Sequence, residues 1–275
     1  MNNSFKKVFI ICQMITLSFL IIYLIYSING KNGFENVNYL DGVDAIYWIN
    51  LDRSLERRTH MDNLLSDSTF NNIPNFRISA TDGKIPDNVP KKLGAYKKQH
   101  EMSDYEYACL LSHLDAIREF SNTDYKVGLI FEDDVTLEFK KYWKKSVRQI
   151  IDGAPADWDI ITLYYSIQDK KLVEEEYYKH EYRMTYALAY LINNKAAKKL
   201  ISSHYKNNKY DLTDNYRHTS DWYIYGTLNT YVYKYPMFVY KTENNSTIHE
   251  DHLSEHVSKK NDFINAYKEL YPDIK

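Results

Sequence analysis

The chain has 275 residues, room for one large domain or two small ones, and its acids and bases nearly cancel at a net charge of −2. That balance excludes bulk electrostatic attraction to nucleic acid as the basis of function. The two cysteines, Cys12 in an apolar N-terminal run and Cys109 in a distant helical pattern, are poorly placed to pair and report no redox compartment.

Val8 to Ile28 carries no charged residue, a length that suits a bilayer crossing of ~20 apolar residues. Lys6 and Lys7 precede it and only Lys31 follows closely, so the positive-inside rule places residues 1–7 in the cytosol. The run is longer than a signal-peptide core and ends without a good cleavage site, so an uncleaved anchor over 8–28 is expected. Residues 29–42 read as a short polar stem and 43–275 as the globular domain. This predicts a single-pass protein of the Golgi or endoplasmic reticulum in a eukaryote, or of the inner membrane in a bacterium. Asn244 and Asn245 both sit in glycan-acceptor sequons, which matter only on the lumenal side.

Asp44 to Leu51 predicts a first buried strand ending near Asn50. Ser54 then caps a helix to about Leu65, with Arg53, Arg57 and Arg58 clustered at the junction. In an open α/β sheet ligands bind there, and arginine suits a diphosphate or a planar base. The alternative is a set of surface arginines paired with Asp52, Glu56 and Asp62. Phe76 to Ala80 predicts a second strand, with a turn at Asp82-Gly83. Pro86 to Gln99 reads as a polar, basic loop. A helix follows over Tyr107 to Phe120, interrupted on its apolar face by Ser112 and His113. A lone histidine there reads as a hydrogen-bonded core or boundary residue.

Val127 to Phe131 predicts a strand buried on both faces, which runs directly into Glu132-Asp133-Asp134. Three adjacent carboxylates repel one another and need cations. Mg²⁺ and Mn²⁺ take oxygen ligands, usually one or two carboxylates plus substrate phosphates. The block is therefore a candidate metal–phosphate site, with a solvated acidic turn as the alternative.

Further along, a helix is expected over Phe139 to Ile151 and a strand entry at Asp157 to Leu163. Asp157 and Asp159 are strand-start residues there, not ligands. A loop or flap is expected over Lys170 to Tyr182, a strand over Thr185 to Ile192 and a helix over Asn194 to His204. Thr219 or Ser220 caps another helix, with Asp221 in its favourable first turn. A tail strand spans Tyr231 to Tyr240. His249, His252 and His256 lie in a polar stretch, able to ligate a metal or simply solvated. A weak helical pattern through Phe263, Tyr267 and Leu270 closes the chain. The alternation of strands and helices indicates an α/β layer fold.

The order of these pieces, Ile46 to Arg58, Arg77 to Lys84, Ala108 to Leu114, Leu129 to Val135 and Asp221-Trp222, resembles glycosyltransferase family 25. That family includes bacterial lipooligosaccharide galactosyltransferases and the procollagen galactosyltransferases. The resemblance covers roughly Ala45 to Ile248. It implies a GT-A type fold, a Rossmann-like α/β/α domain with a mostly parallel mixed sheet. It also implies a UDP-sugar or similar donor and a divalent cation, usually Mn²⁺ (or Mg²⁺). Carried over by position, Asp134 is the first candidate metal ligand, with Glu132. His249 is a supplementary one, since GT-A enzymes often supply a late histidine. Asn50, Arg53, Arg57, Arg58, Asp82, Gly83, His113, Glu132 and Asp133 fall to substrate binding. Inversion is implied, and it requires a base, for which Asp221 is the candidate. The acceptor would be a glycan, a lipid-linked sugar or hydroxylysine. Two departures stand out: Tyr107-Ala108 replaces a glycine common before the serine–histidine pair, and the acidic block begins with glutamate. An inactive relative serving as a membrane-anchored scaffold, and a metal-dependent phosphoesterase, are the competing readings.

Overall fold

A computed structural model describes residues 38–96, 102–166, 172–181, 184–213, 217–242 and 253–274, with side chains from 257 in the last segment. The expected anchor over 8–28 lies outside the described residues. So do the two sequons, His249 and His252, and the side chain of His256. Among the described residues no helix is long and apolar enough to cross a membrane.

Globular packing begins a few residues before 43. Leu40 is fully buried, Tyr39 meets Trp143 edge to face, and the Val147 N–H donates to the Tyr39 carbonyl.

The core is a seven-stranded mixed sheet. Its strands are β1 (Ala45–Asn50), β2 (Asn75–Ser79), β4 (Val127–Glu132), β6 (Ile160–Thr162), β7 (Tyr177–Lys179), β8 (Ala189–Asn193) and β11 (Thr230–Tyr233), in the order β2-β1-β4-β8-β6-β11-β7. β1 pairs in parallel with β2 and β4, and β6 with β11; β8 runs against both of its neighbours and β7 against β11. Five of the seven strands therefore share one direction. The parallel-rich expectation holds, with β8 reversed near the middle. The chain leaves β1 towards β2 on one side and returns to β4 on the other. That reversal of winding opens a crevice at the carboxyl ends of β1 and β4, where α/β sheets bind ligands.

Side-chain alternation then decides which way each residue points. On one face Ile46, Trp48, Leu129 and Phe131 join a core that includes Met61 of helix α1 (Leu55–Leu65). On the other, Tyr47, Ile49 and Ile130 pack with Leu110, Leu114 and Ile117 of α3 (Asp104–Ser121). Burying each such Leu, Ile or Phe stabilises the fold by ~1.5–3 kcal/mol. α3 starts at a capping box, where Ser103 accepts from the Glu106 N–H and Glu106 accepts from the Ser103 N–H. Gly128 faces α3, and a Cβ there would come within 3.0 Å of the Phe120 ring, so the glycine lets helix and strand close up.

Several segments depart from the sequence reading. The expected loop at 86–99 contains a short helix α2 (Asn88–Lys92) and a strand β3 (Leu93–Tyr96). β3 is held by a distant hairpin, β9 (Tyr205–Lys206) and β10 (Lys209–Leu212), turned through Asn207 and Asn208 at positive φ. The expected helix at 139–151 is instead a single 3-10 turn at Lys140–Tyr142 followed by α4 (Val147–Gly153), which opens at its own Ser146–Gln149 capping box. The break lets Tyr142 stack on Tyr267 and lets the Trp143 indole donate to the Met237 carbonyl at 2.6 Å. The flap region supplies edge strand β7. The strand expected from 185 starts only at Ala189, because Tyr186 sits at φ 88°, outside the extended region. The expected tail strand splits into β11 and β12 (Val239–Tyr240), and β12 pairs with β5 (Val135–Thr136) just after the acidic block. Helix α5 (Asn194–His204) begins with the Asn193 side chain accepting from the Ala196 N–H, and α7 (Leu253–Leu270) buries Phe263 and Tyr267.

Candidate active site

The acidic block leaves β4 at the crevice, and alternation sends its first two members opposite ways. Asp133 has the parity of Phe131 and turns towards α1. There its Oδ1 accepts from Arg57 Nη1 at 2.6 Å and its Oδ2 from Asn50 Nδ2 at 2.7 Å. Asn50 is itself fixed, its Oδ1 accepting from Arg77 Nε at 3.0 Å. Glu132 has the parity of Ile130 and turns towards α3, where its Oε1 lies 3.1 Å from His113 Nε2. His113 is 1% exposed, and its Nδ1 lies 3.1 Å from the Tyr190 hydroxyl. It is the hydrogen-bonded buried histidine the sequence suggested, placed on the acidic block.

Asp134 is the unusual member. Its Oδ2 lies 3.3 Å from Arg57 Nη1, while its Oδ1 is buried and has no hydrogen-bond partner among the described residues. A fifth of the side chain remains open to solvent. Burial, with Glu132 and Asp133 adding negative charge, pushes its pKa up to about 7 against the opposing pull of Arg57. Arg57 is affected reciprocally: burial alone would lower its pKa, but Asp134 and Asp133 outweigh that and raise it. One guanidinium thus serves two carboxylates.

A cleft of about 660 Å³, counted out to its open mouth, lies in front of Glu132 and Asp133, and Asp134 is not among its lining residues. Asn50, Arg53, Arg57, Asp82 and Gly83 line it, as do His113, Glu132 and Asp133. Arg53 does not pair with its sequence neighbours but reaches Asp82, at 2.6 Å from Nε. Burial would raise the Asp82 pKa, yet the Arg53 guanidinium and the Lys84 N–H hold it below its ordinary value. Gly83 is tightly constrained, since a Cβ would lie 2.8 Å from the Asp104 carbonyl oxygen at the start of α3. Arg58 is exposed and lies outside the cleft lining, and Asp52 pairs with Arg77 instead.

Asp221 is in the first turn of α6 (Ser220–Thr227), as expected, but it stands beside the cleft rather than in its wall. Its Oδ2 accepts from the Tyr186 N–H at 3.0 Å and its Oδ1 from the Trp222 N–H at 2.9 Å. The first of these bonds helps hold Tyr186 in its strained backbone conformation. Asp221, Glu132 and Asp134 all act on the Cys109 thiol, which burial above all pushes to a high pKa.

Cys109, Ser112, Thr81 and Tyr105 also line the cleft and were not singled out as site residues from the sequence. The signal for the three on α3 is helical spacing, since 105, 109 and 112 fall on one face with His113, whereas Thr81 lies in the turn before Asp82 and carries no such signal. The serine–histidine pair divides its work. The Ser112 hydroxyl accepts from the Thr81 N–H at 2.8 Å and so pins the turn that carries Asp82, while His113 holds Glu132.

The sequence model of glycosyltransferase family 25, described as an LPS biosynthesis family, matches residues 43–224. A protein of Aedes aegypti named a glycosyltransferase 25 family member is 31% identical over 175 residues, covering 58% of this chain and 28% of the relative. Procollagen galactosyltransferase 1-A of Xenopus laevis is 28% identical over 183 residues, with the same coverages of 58% and 28%. The chain therefore spans little more than a quarter of the length of these curated relatives. Among solved structures, a glycosyltransferase involved in the glycosylation of the major capsid of PBCV-1 overlaps 77% of this chain and 98% of its own, at 10% identity and a TM-score of 0.39. That overlap is too loose to assign function.

Proposed function

The chain belongs to glycosyltransferase family 25, and from that premise we propose that it moves a hexose, galactose or glucose, from a nucleoside-diphosphate sugar to an acceptor hydroxyl in a GT-A arrangement. The observation that carries this reading is Asp134 Oδ1, a buried carboxylate oxygen just past the end of β4 with no hydrogen-bond partner among the described residues. Such an oxygen costs free energy unless something binds it. An all-oxygen donor set drawn from Asp134 and Glu132 fits Mn²⁺ or Mg²⁺, which also accept phosphate oxygens. Bound there, the cation would act as a Lewis acid and offset the charge that builds on the departing diphosphate.

The residues of the chain do the rest. Asn50 and Arg57 hold Asp133, which fixes the backbone that presents Asp134. Arg57 also keeps the block from repelling itself apart before any ligand arrives. The Arg53–Asp82 pair and the close-packed Gly83 form the wall on which a nucleotide would rest. Asp221 is the proposed base, taking the acceptor proton at a free carboxylate lone pair as the hydroxyl attacks from the side opposite the leaving group. A base on that side gives inversion. The acceptor would be a glycan, a lipid-linked sugar or a hydroxylysine, the last in keeping with the procollagen relative. The uncharged run Val8 to Ile28 supports anchoring in a membrane.

The test is a panel of UDP-sugars assayed with and without Mn²⁺. Mn²⁺-dependent release of UDP is expected, with loss of activity in Asp134→Asn and an unchanged fold by circular dichroism. Turnover undiminished in that variant would overturn the metal assignment, and release of free sugar phosphate would identify a phosphoesterase instead.

A further inference from the structure

We infer that Cys109, His113 and Glu132 form a second metal site, suited to a borderline-soft ion such as Zn²⁺ rather than to the hard cation of Asp134. One ligand atom from each lies within 4.8 Å of the other two. Cys109 and His113 are four residues apart on α3 and so project from the same face. Glu132 is supplied by the end of β4. Two packed elements thus furnish three donors of three kinds: thiolate sulfur, imidazole nitrogen and carboxylate oxygen. That set is typical for zinc with one position left open, whereas Mn²⁺ and Mg²⁺ favour oxygen.

The distances are close to what a tetrahedral ion needs. Bonds of ~2.3 Å to sulfur and ~2.0–2.2 Å to nitrogen and oxygen put donor pairs roughly 3.3–3.8 Å apart. His113 Nε2 and Glu132 Oε1 are already 3.1 Å apart, so the remaining adjustment falls on the cysteine side. Among the described residues the Cys109 thiol has a single long contact, with the Ser220 hydroxyl at 3.5 Å, to give up. On binding, its proton passes to solvent.

The surroundings suit a ligating histidine. With Nε2 on the ion, Nδ1–H is free to donate to the Tyr190 hydroxyl 3.1 Å away, the outer bond that fixes tautomer and ring orientation in zinc sites. Tyr190 also stacks on the imidazole, with ring centroids 5.9 Å apart, and both side chains are buried. The ring is therefore aimed in advance. All three donors line the cleft, so the open fourth position faces it. If the transferase reading is right, zinc here would withdraw Glu132 from the acidic block and slow transfer; the site itself does not depend on that reading.

The experiment uses the full chain and Co²⁺ as a spectroscopic stand-in for zinc, with no sugar nucleotide present. Titration should produce a near-ultraviolet thiolate-to-cobalt band that saturates at one ion per chain and is bleached by an equivalent of Zn²⁺. Cys109→Ser should abolish the band while keeping the wild-type melting temperature. Glu132→Gln should weaken Co²⁺ binding at least about 10–100-fold, the range known for losing even an outer-shell partner. Asp134→Asn and Cys12→Ser should both keep the band. The inference is overturned if the wild-type chain gives no thiolate band, if the band survives Cys109→Ser, or if it disappears with Cys12→Ser.

Discussion

Arg57→Met offers the sharpest test of how the acidic block is held together. Methionine preserves most of the buried stem and removes only the cation. Arg57 is 13% exposed, and its two partners, Asp133 and Asp134, are 9% and 20% exposed. Stripping the counter-charge from a buried pair costs ~3–5 kcal/mol. The Asn50 amide still donates to Asp133, so the lower end, ~3 kcal/mol at pH 8, is expected. The loss should depend on pH, and its sign is fixed. In the folded wild type the Asp134 pKa is raised to about 7 from an ordinary value of 3.8. The folded chain therefore binds a proton that the unfolded chain releases, and this group's contribution is largest below pH ~4 and is lost as pH rises towards 7. Partial exposure screens the effect to ~1–3 kcal/mol. Without Arg57 the folded pKa climbs further, so protonation relieves much of the damage at pH 5 and less of it at pH 8. Urea unfolding at both pH values should give a destabilisation of ~1–2 kcal/mol at pH 5 against ~3 kcal/mol at pH 8, and Mn²⁺ should restore part of the latter. Equal losses at the two pH values, or no response to Mn²⁺, would refute the reasoning.

Mn²⁺ affinity of the wild-type chain should fall about tenfold per pH unit below the Asp134 pKa of about 7, because the ion must displace one proton; isothermal titration would read this directly, and a flat profile would count against Asp134 as ligand. Asp221→Asn should lower kcat by about 10²–10⁴ with little change in KM, while the asparagine oxygen still accepts from Tyr186; a drop in melting temperature with kcat preserved would instead make Asp221 a purely structural residue. Gly83→Ala should destabilise by ~1–3 kcal/mol, since the new methyl meets backbone rather than a movable side chain, and chemical denaturation would measure it.

The parts of the fold that could be read from the sequence are those whose signals are local. β1 and β4 announce themselves by a continuous apolar run, α1 by its apolar positions although Ser54 makes no side-chain cap bond, and α5 by its alanine–leucine face. The misread parts depend on distant partners. β3 is a strand because of residues 209–212, and the helix expected at 139–151 breaks because Trp143 bonds to Met237. The start of β8 was missed because Tyr186 takes a conformation that its side chain disfavours. At the site, the acidic block and the Arg53–Arg57 cluster were legible as charge that needed partners. Which partner each takes was not, because strand parity sends Glu132 and Asp133 to opposite faces. Cys109 escaped notice because in sequence a cysteine among leucines resembles core.

The reversed strand β8 has a consequence for variation. Running against β4, it begins where β4 ends, and the Glu132 N–H donates to the Leu188 carbonyl at 3.0 Å. The stretch that leads into β8 is thus tied to the end of β4, beside the acidic block, although the two are far apart in the chain. Insertions or replacements ahead of Ala189 can change what borders the acidic block while the knot of Asn50, Arg57 and Asp133 stays as it is. Such a scaffold can change its clientele by rewriting one approach ribbon and inheriting the rest.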